Sequence, residues 1–212
     1  MSLAEIEEVL RQEHLFVSGI VHENLPDGAK CLLMVSPDEP GFWGMFTQSP
    51  EYQDGAADPM NRWTEAALAR LVPQIAGACA FFPFGGPPWQ PFIDWATRSG
   101  QAHPSPVGLM VHARAGLFIS YRAAIALPYR LDLAGSARPC DGCSQPCLTA
   151  CPVDAFAGGS YDVPKCKAHL ETDAGRVCRN GCLVRRACPV GHSLRLPEQS
   201  AFHMEAFHPD VA

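Results

Sequence analysis

The sequence predicts an α+β protein with an N-terminal α/β domain over residues 1–135, a cysteine-rich module over 136–195 and a tail over 196–212. Two observations lead to this prediction. Helical and extended apolar patterns alternate in the first region, and eight of the ten cysteines lie between residues 140 and 191. A chain of 212 residues that is 47% hydrophobic and 18% charged can bury an ordinary core.

The first elements carry clear local signals. Ser2 and Glu5 form a capping box, which predicts a helix over 3–14. Two apolar segments, 16–21 and 31–35, are bounded by turn residues and therefore predict strands.

Later segments of this region mix helices, strands and loops. Phe42 and Trp43 either line a flat ligand or belong to the core. Cys31 and Cys79 lie in predicted strands and are interpreted as small buried hydrophobes. The remaining predicted elements are, in order, a polar loop over 49–59, a helix over 59–72 that ends or bends at Pro73, a strand over 79–82, a helix over 93–98 closed by Gly100, a helix over 106–116 that ends at a glycine, and a strand within 117–127.

The loop over 82–92 has an unusual composition. Gly85 and Gly86 permit positive φ and close approach of the backbone to a ligand, and the neighbouring prolines stiffen the chain. Trp89 adds apolar surface to this loop and is a candidate cofactor-binding residue.

The cysteine spacing indicates metal chemistry, because thiolates suit iron–sulfur clusters, zinc or copper(I). The first run, Cys140-Asp-Gly-Cys-Ser-Gln-Pro-Cys-Leu-Thr-Ala-Cys-Pro152, is one residue longer than the two-cluster ferredoxin run C-x₂-C-x₂-C-x₃-C-P. Two cubane clusters need eight thiolates, and eight are present. The sharing that this pattern predicts is crossed, with one cluster on Cys140, Cys143, Cys147 and Cys188, and the other on Cys151, Cys166, Cys178 and Cys182.

Two other interpretations of the cysteines remain open from the sequence. Two structural zinc sites would also use eight thiolates, although zinc ribbons usually pair C-x₂-C with C-x₂-C. A disulfide framework is typical of secreted chains, and nothing in the sequence indicates secretion. The Cys-Pro ending that both runs share favours iron–sulfur clusters.

Charge limits the range of partners. The formal net charge of −6 argues against binding of nucleic acid or an anionic membrane by charge alone. Residues 160–195, however, contain seven basic residues and only three acidic ones. They either compensate anionic clusters or form a docking face for an acidic partner or RNA.

Localisation follows from what the sequence lacks. The first residues are acidic and show no leader pattern, and no run of 18 apolar residues predicts a membrane span. Cluster cysteines need a reducing compartment, so we expect the cytoplasm. In the tail, His203 and His208 are interpreted as surface residues.

The order of these features resembles the epoxyqueuosine reductase family. The resemblance is carried by the segment Arg114-Ala-Gly-Leu117, a following strand, the two-cluster module, and the isolated Cys166 between the cysteine runs; it covers residues 104–191. It implies a nitroreductase-like or cobalamin-processing-like fold before a ferredoxin-like module. It also implies a corrinoid (cobalamin) in the α/β domain that receives electrons from two [4Fe–4S] clusters; a flavin is the second choice of cofactor.

Three departures separate the chain from that family. His103 stands where the family has its proton-donating acid, three positions before Pro106-Val107. The family's glycine- and lysine-bearing segment is replaced by residues 118–122, and we expect no counterpart of its extra C-terminal domain.

Three functions therefore remain as hypotheses. The first is a redox enzyme, in which His103 and Tyr121 supply protons while His112 and Arg122 join Trp89 in binding the cofactor. The second is a dedicated electron carrier without its own catalysis, working with a redox protein donor or acceptor. The third is a module that binds RNA or an acidic protein, which should show steep salt dependence.

Overall fold

The computed structural model describes residues 1–26, 28–157 and 160–208. The chain divides into two units. The first unit comprises Met1–Ala102 and Ser120–Ser136, and the second comprises His103–Ile119 and Ala137–Ala212.

The fold mixes helices and strands. The helices are α1 (Leu3–Arg11), α2 (Gly41–Phe46), α3 (Pro50–Gln53), α4 (Pro59–Leu71), α5 (Phe92–Arg98), α6 (Val163–Leu170), α7 (Arg176–Arg179), α8 (Leu183–Arg186) and α9 (Pro197–Phe207). The strands are β1 (Leu15–Val21), β2 (Cys31–Pro37), β3 (Cys79–Phe81), β4 (Ala102–Pro104), β5 (Met110–His112) and β6 (Ala123–Leu127).

A four-stranded antiparallel sheet organises the first unit, with strand order β1-β2-β6-β3. Every residue of β2 and β6 is buried, which explains why these central strands read as continuous apolar runs. The capping box at the start of α1 is present, because the Ser2 side chain accepts from the Glu5 amide and the Glu5 carboxylate accepts from the Ser2 amide.

The aromatic residues near α2 belong to the core of the first unit. Phe42 is fully buried, and its ring meets Trp63 edge-on, with centroids 5.1 Å apart. Phe46 stacks on Phe42 at 5.8 Å. The alternative in which Phe42 and Trp43 line a flat ligand is therefore not supported, because both side chains are buried among other protein side chains.

Several predictions made from local pattern are wrong. The predicted loop over 49–59 contains the short helix α3, and Cys79 is exposed on β3, at the end of the sheet order. His208 is buried instead of lying on the surface. Residues 106–116 form turns around β5 instead of a helix, because Gly108, inside the predicted helix, has a positive φ of 76° that a helix interior does not accommodate.

Every helix in the described part of the chain is too short or too polar to cross a membrane.

Candidate metal centre

Short helical turns in the second unit carry the cysteines of the cysteine-rich segment. Cys147 lies on a 3₁₀ turn over Pro146–Thr149, and Cys166 lies in α6. Cys178 lies in α7, and Cys182 is the residue before α8. Because each of these elements lasts only one or two turns, the backbone redirects often, and thiols that are far apart in sequence can converge.

The thiols converge in two sets. We call these the first thiol group (Cys140, Cys143, Cys147 and Cys188) and the second thiol group (Cys151, Cys166, Cys178 and Cys182). All ten cysteines of the chain are free thiols.

Electrostatics defines the first thiol group. Burial raises the pKa of the Cys140 thiol, and the neighbouring thiols Cys147, Cys143 and Cys188 raise it further. The pKa of Cys147 is also raised, first by burial and then by Cys188 and Cys143. Deprotonating one member is costly while the others are near, unless a cation or an iron cluster neutralises the combined charge.

An open cavity gives the first thiol group its shape. All four thiols line it, and its cavity volume is about 20 Å³. Its other walls are mainly apolar, and they include Pro106, Val111, Leu117, Pro139 and Val190. Four thiols around one apolar-walled cavity match the donor set that an iron–sulfur cluster requires.

The second thiol group is defined in the same way. Burial raises the pKa of Cys178, and Cys182, Cys166 and Cys151 add to that rise. The pKa of Cys166 is raised by burial, then by Cys182 and Cys151, while a hydrogen bond with Tyr161 lowers it.

Backbone amides point at sulfur in both groups. In the first, the Gln145 amide donates to Cys143 Sγ at 3.3 Å. In the second, the Ala155 amide donates to Cys151 Sγ at 3.2 Å. The backbone at Leu148 hydrogen bonds to Cys147 in the first group, and the backbone at Leu183 hydrogen bonds to Cys178 in the second. Donors of this kind stabilise thiolates and tune the potential of a bound cluster.

A single metal ion needs closely spaced ligands. Zn–S bonds of about 2.3 Å in a tetrahedron hold the sulfurs about 3.8 Å apart. Over residues 1–26, 28–157 and 160–208, no three His, Cys, Asp or Glu side chains come close enough together to surround a single ion.

Two side chains that the sequence did not single out as site residues stand beside the second thiol group. The Tyr161 ring stacks on Phe156 with centroids 4.7 Å apart, and its hydroxyl hydrogen bonds with Cys166 and with His208 Nε2, the latter at 3.1 Å. The Arg185 side chain is half-buried, and its pKa is lowered by burial and raised by the Cys182 thiol. Arg185 belongs to the basic stretch over 160–195, whereas no sequence pattern indicates a role for Tyr161.

The other predicted site residues are divided between the two units. In the second unit, His112 is buried, and its Nδ1 accepts from the amides of Arg114 at 3.0 Å and Ala115 at 3.2 Å, which shapes the turn after β5. His103 is half-buried in β4, and its Nε2 lacks a hydrogen-bond partner among the residues described.

In the first unit, Tyr121 and Arg122 are adjacent just before β6. Arg122 Nε donates to the Tyr121 carbonyl at 3.2 Å, and burial lowers the Arg122 pKa to about 10. Burial also raises the pKa of Tyr121. Trp89 is 66% exposed.

Comparison with solved structures finds epoxyqueuosine reductases. One, with an epoxyqueuosine-modified tRNA-Tyr stem loop, gives a TM-score of 0.47 at 16% identity over 82% of this chain and 52% of that chain. A selenomethionine-labelled epoxyqueuosine reductase gives a TM-score of 0.42 at 15% identity. The match covers 82% of this chain and 53% of that chain. The enzyme from Bacillus subtilis, with its catalytic loop swung out of the active site, gives a TM-score of 0.43 at 15% identity. The match covers 79% of this chain and 50% of that chain.

No protein-family model matches the sequence, and no curated protein does so. The chain spans about half the length of the three solved structures.

Proposed function

We propose that this chain is an iron–sulfur redox protein with two [4Fe–4S] clusters, one on each thiol group. In this proposal the clusters supply one-electron transfer to a cofactor, with a corrinoid favoured, or to a substrate in the N-terminal region. The observation that carries the proposal is the convergence of eight thiols, drawn from separate short turns, into two sets of four.

The surroundings of the thiols support clusters over single zinc ions. A cluster places its iron and sulfide atoms between the four thiolates, so the thiolates lie farther apart than around one ion. The four thiols of the first group line one shared cavity, and its apolar walls limit water near the metal.

Arg122 supports a ligand with acidic or amide oxygens in the first unit. Its guanidinium is largely desolvated, yet burial is the sole cause of its lowered pKa, so no neighbouring carboxylate contributes to its charge balance. Within the described ranges, its side-chain hydrogen bond goes to the Tyr121 carbonyl. A planar guanidinium in this state can bind a carboxylate, phosphate or amide group of a cofactor.

The alternative is an electron carrier without its own catalysis. This alternative is favoured by His103, which stands where the epoxyqueuosine reductase family has its proton-donating acid. The two functions share the clusters and differ in whether a cofactor or substrate binds in the N-terminal region.

Iron counting tests the clusters. Anaerobically purified and reconstituted protein should contain about eight iron atoms per chain and show reduced-cluster EPR signals after dithionite treatment. The variants Cys147→Ala and Cys188→Ala should each lose about four iron atoms, because both belong to the first thiol group. Full iron retention in both variants would contradict the crossed ligand assignment.

A second EPR sample tests the cofactor. Added cob(II)alamin should change from the base-on to the base-off signal if the protein binds it. An unperturbed cobalt signal beside intact cluster signals would leave the electron carrier as the function.

A further inference from the structure

The two thiol groups both accept hydrogen bonds from the backbone but differ in their side-chain neighbours. Backbone donors reach Cys143 and Cys147 in the first group and Cys151 and Cys178 in the second. The side chains around the two groups differ more clearly.

Arg185 gives the second thiol group a half-buried positive charge. It lies in α8, three residues after Cys182, and it donates through Nη1 to the Leu117 carbonyl. Burial lowers its pKa, while the Cys182 thiol and the Tyr161 hydroxyl oppose this change; no carboxylate does so. A partly desolvated cation is stabilised when an anion lies beside it, and four thiolates on an iron cluster provide that anion.

Tyr161 gives the same group an additional hydrogen bond. Its ring is held by stacking on Phe156, with an interplanar angle of 6°. A metal-bound thiolate can only accept, so the phenol donates its proton to Cys166 Sγ. The phenol oxygen is then free to accept from Nε2 of the buried His208, at 3.1 Å.

Among the residues that the structure describes, no tyrosine and no half-buried arginine contributes to the pKa of Cys140 or Cys147 in the first thiol group. Its walls are mainly apolar, and the cation that acts on it is Arg138, which is exposed. Solvent screens an exposed charge much more than a buried one.

We propose that Tyr161 and Arg185 make the second thiol group the higher-potential of two unequal cluster sites. Reduction adds one negative charge to a cluster without breaking a bond. A half-buried cation and a hydrogen-bond donor to sulfur both stabilise the reduced form more than the oxidised form. Electrons entering the protein should therefore settle at the second site. This inference rests on the iron–sulfur function proposed above.

A redox titration followed by EPR on the full chain tests the inference. The wild-type protein should show two separate midpoint potentials. The single-site variant Cys147→Ala, which keeps the second thiol group, should retain the higher one. Tyr161→Phe and Arg185→Gln should each lower only that potential, by about a tenfold change in the one-electron equilibrium constant, or about 59 mV.

Controls separate a specific effect from a general one. Arg186→Gln removes an exposed arginine from the same helix and should leave both potentials unchanged. Tyr161→Phe keeps the ring stacking, so it remains informative if Arg185→Gln folds poorly.

The outcomes distinguish the two proposals. Wild-type protein that fails to hold about eight iron atoms overturns the iron–sulfur function itself. Full iron content with a single shared potential, with equal shifts of both potentials, or with no shift in Tyr161→Phe overturns the assignment of Tyr161 and Arg185 alone.

Discussion

Cys31 and Cys79 show how differently two similar residues can be placed. Cys31 is fully buried in the central strand β2, and its thiol donates to the Tyr129 carbonyl at 3.2 Å. Cys79 begins the outer strand β3 and is exposed. Both lie in short apolar runs, and a short run does not reveal whether a strand is central or at the edge.

The variants Cys31→Ser and Cys79→Ser should differ in stability and agree in iron content. Cys31→Ser should lower the free energy of unfolding by about 1–2 kcal/mol, because a hydroxyl is more costly to bury than a thiol. Cys79→Ser should change it little. Urea denaturation and an iron assay check both, and iron loss in either folded variant would contradict their structural role.

Cys31 should also make stability depend on pH. Burial raises its pKa above the ordinary value of 9.0, so the folded state keeps the proton when the unfolded state has lost it. The stabilisation is complete below about pH 9 and is lost as pH rises toward the folded-state pKa.

The measurement is the free energy of unfolding of wild type minus that of Cys31→Ala, followed from pH 8 to pH 10. We expect this difference to fall with pH. A difference that does not change with pH would exclude the Cys31 thiol as the source of the pH dependence. The free energy of unfolding of Cys79→Ala should follow that of the wild type over the whole pH range.

At the scale of elements, the turn after β5 and the loop after Cys188 approach each other unusually closely. A Cβ atom on Gly116 would lie 1.8 Å from the Val190 carbonyl oxygen, and one on Gly191 would lie 2.7 Å from the Ala115 backbone. Both glycines also have positive φ. This backbone contact positions the segment that carries Cys188.

The variant Gly116→Ala should therefore disturb the first thiol group selectively. We expect loss of about four iron atoms, because Val190 must move and Cys188 moves with it. Gly55→Ala is the matched control, since Gly55 has a similar φ of +67° but open space around its Cβ position. Equal iron content in the two variants would show that the contact does not position Cys188.

Elements with several local signals were predictable from the sequence. Helix α1 combines a capping box with helical apolar spacing, and β1 and β2 combine apolar runs with turn residues at their ends. The segment over 106–116 was not, because its apolar residues fit a helix until the backbone conformation of its glycines is known. Tyr161 and His208 were missed because their pairing joins residues 47 positions apart.

At the scale of the whole molecule, the two units depend on different sources of stability. The first has a four-stranded sheet with two fully buried strands. The second has mostly short helices, and two of its thiols, Cys147 and Cys188, are members of its buried core cluster. Filling the thiol groups should therefore contribute directly to folding of the second unit.

Removing iron should loosen the second unit before the first. Hydrogen exchange measured by mass spectrometry after chelation should show lost protection over residues 140–191, while β1, β2 and β6 keep theirs. The reconstituted protein is the control. Uniform loss of protection along the chain, or none at all, would contradict this separation.

The division of the chain has a consequence for engineering. Residues 103–119 belong to the second unit but are inserted between two parts of the first. They supply Val107, Val111 and Leu117 to the buried cluster around Cys147 and Cys188. The cysteine-rich module should therefore not be transferable to another protein as a contiguous segment. A fragment that begins at residue 137 would lack the apolar side chains of residues 103–119 that pack against its own thiols.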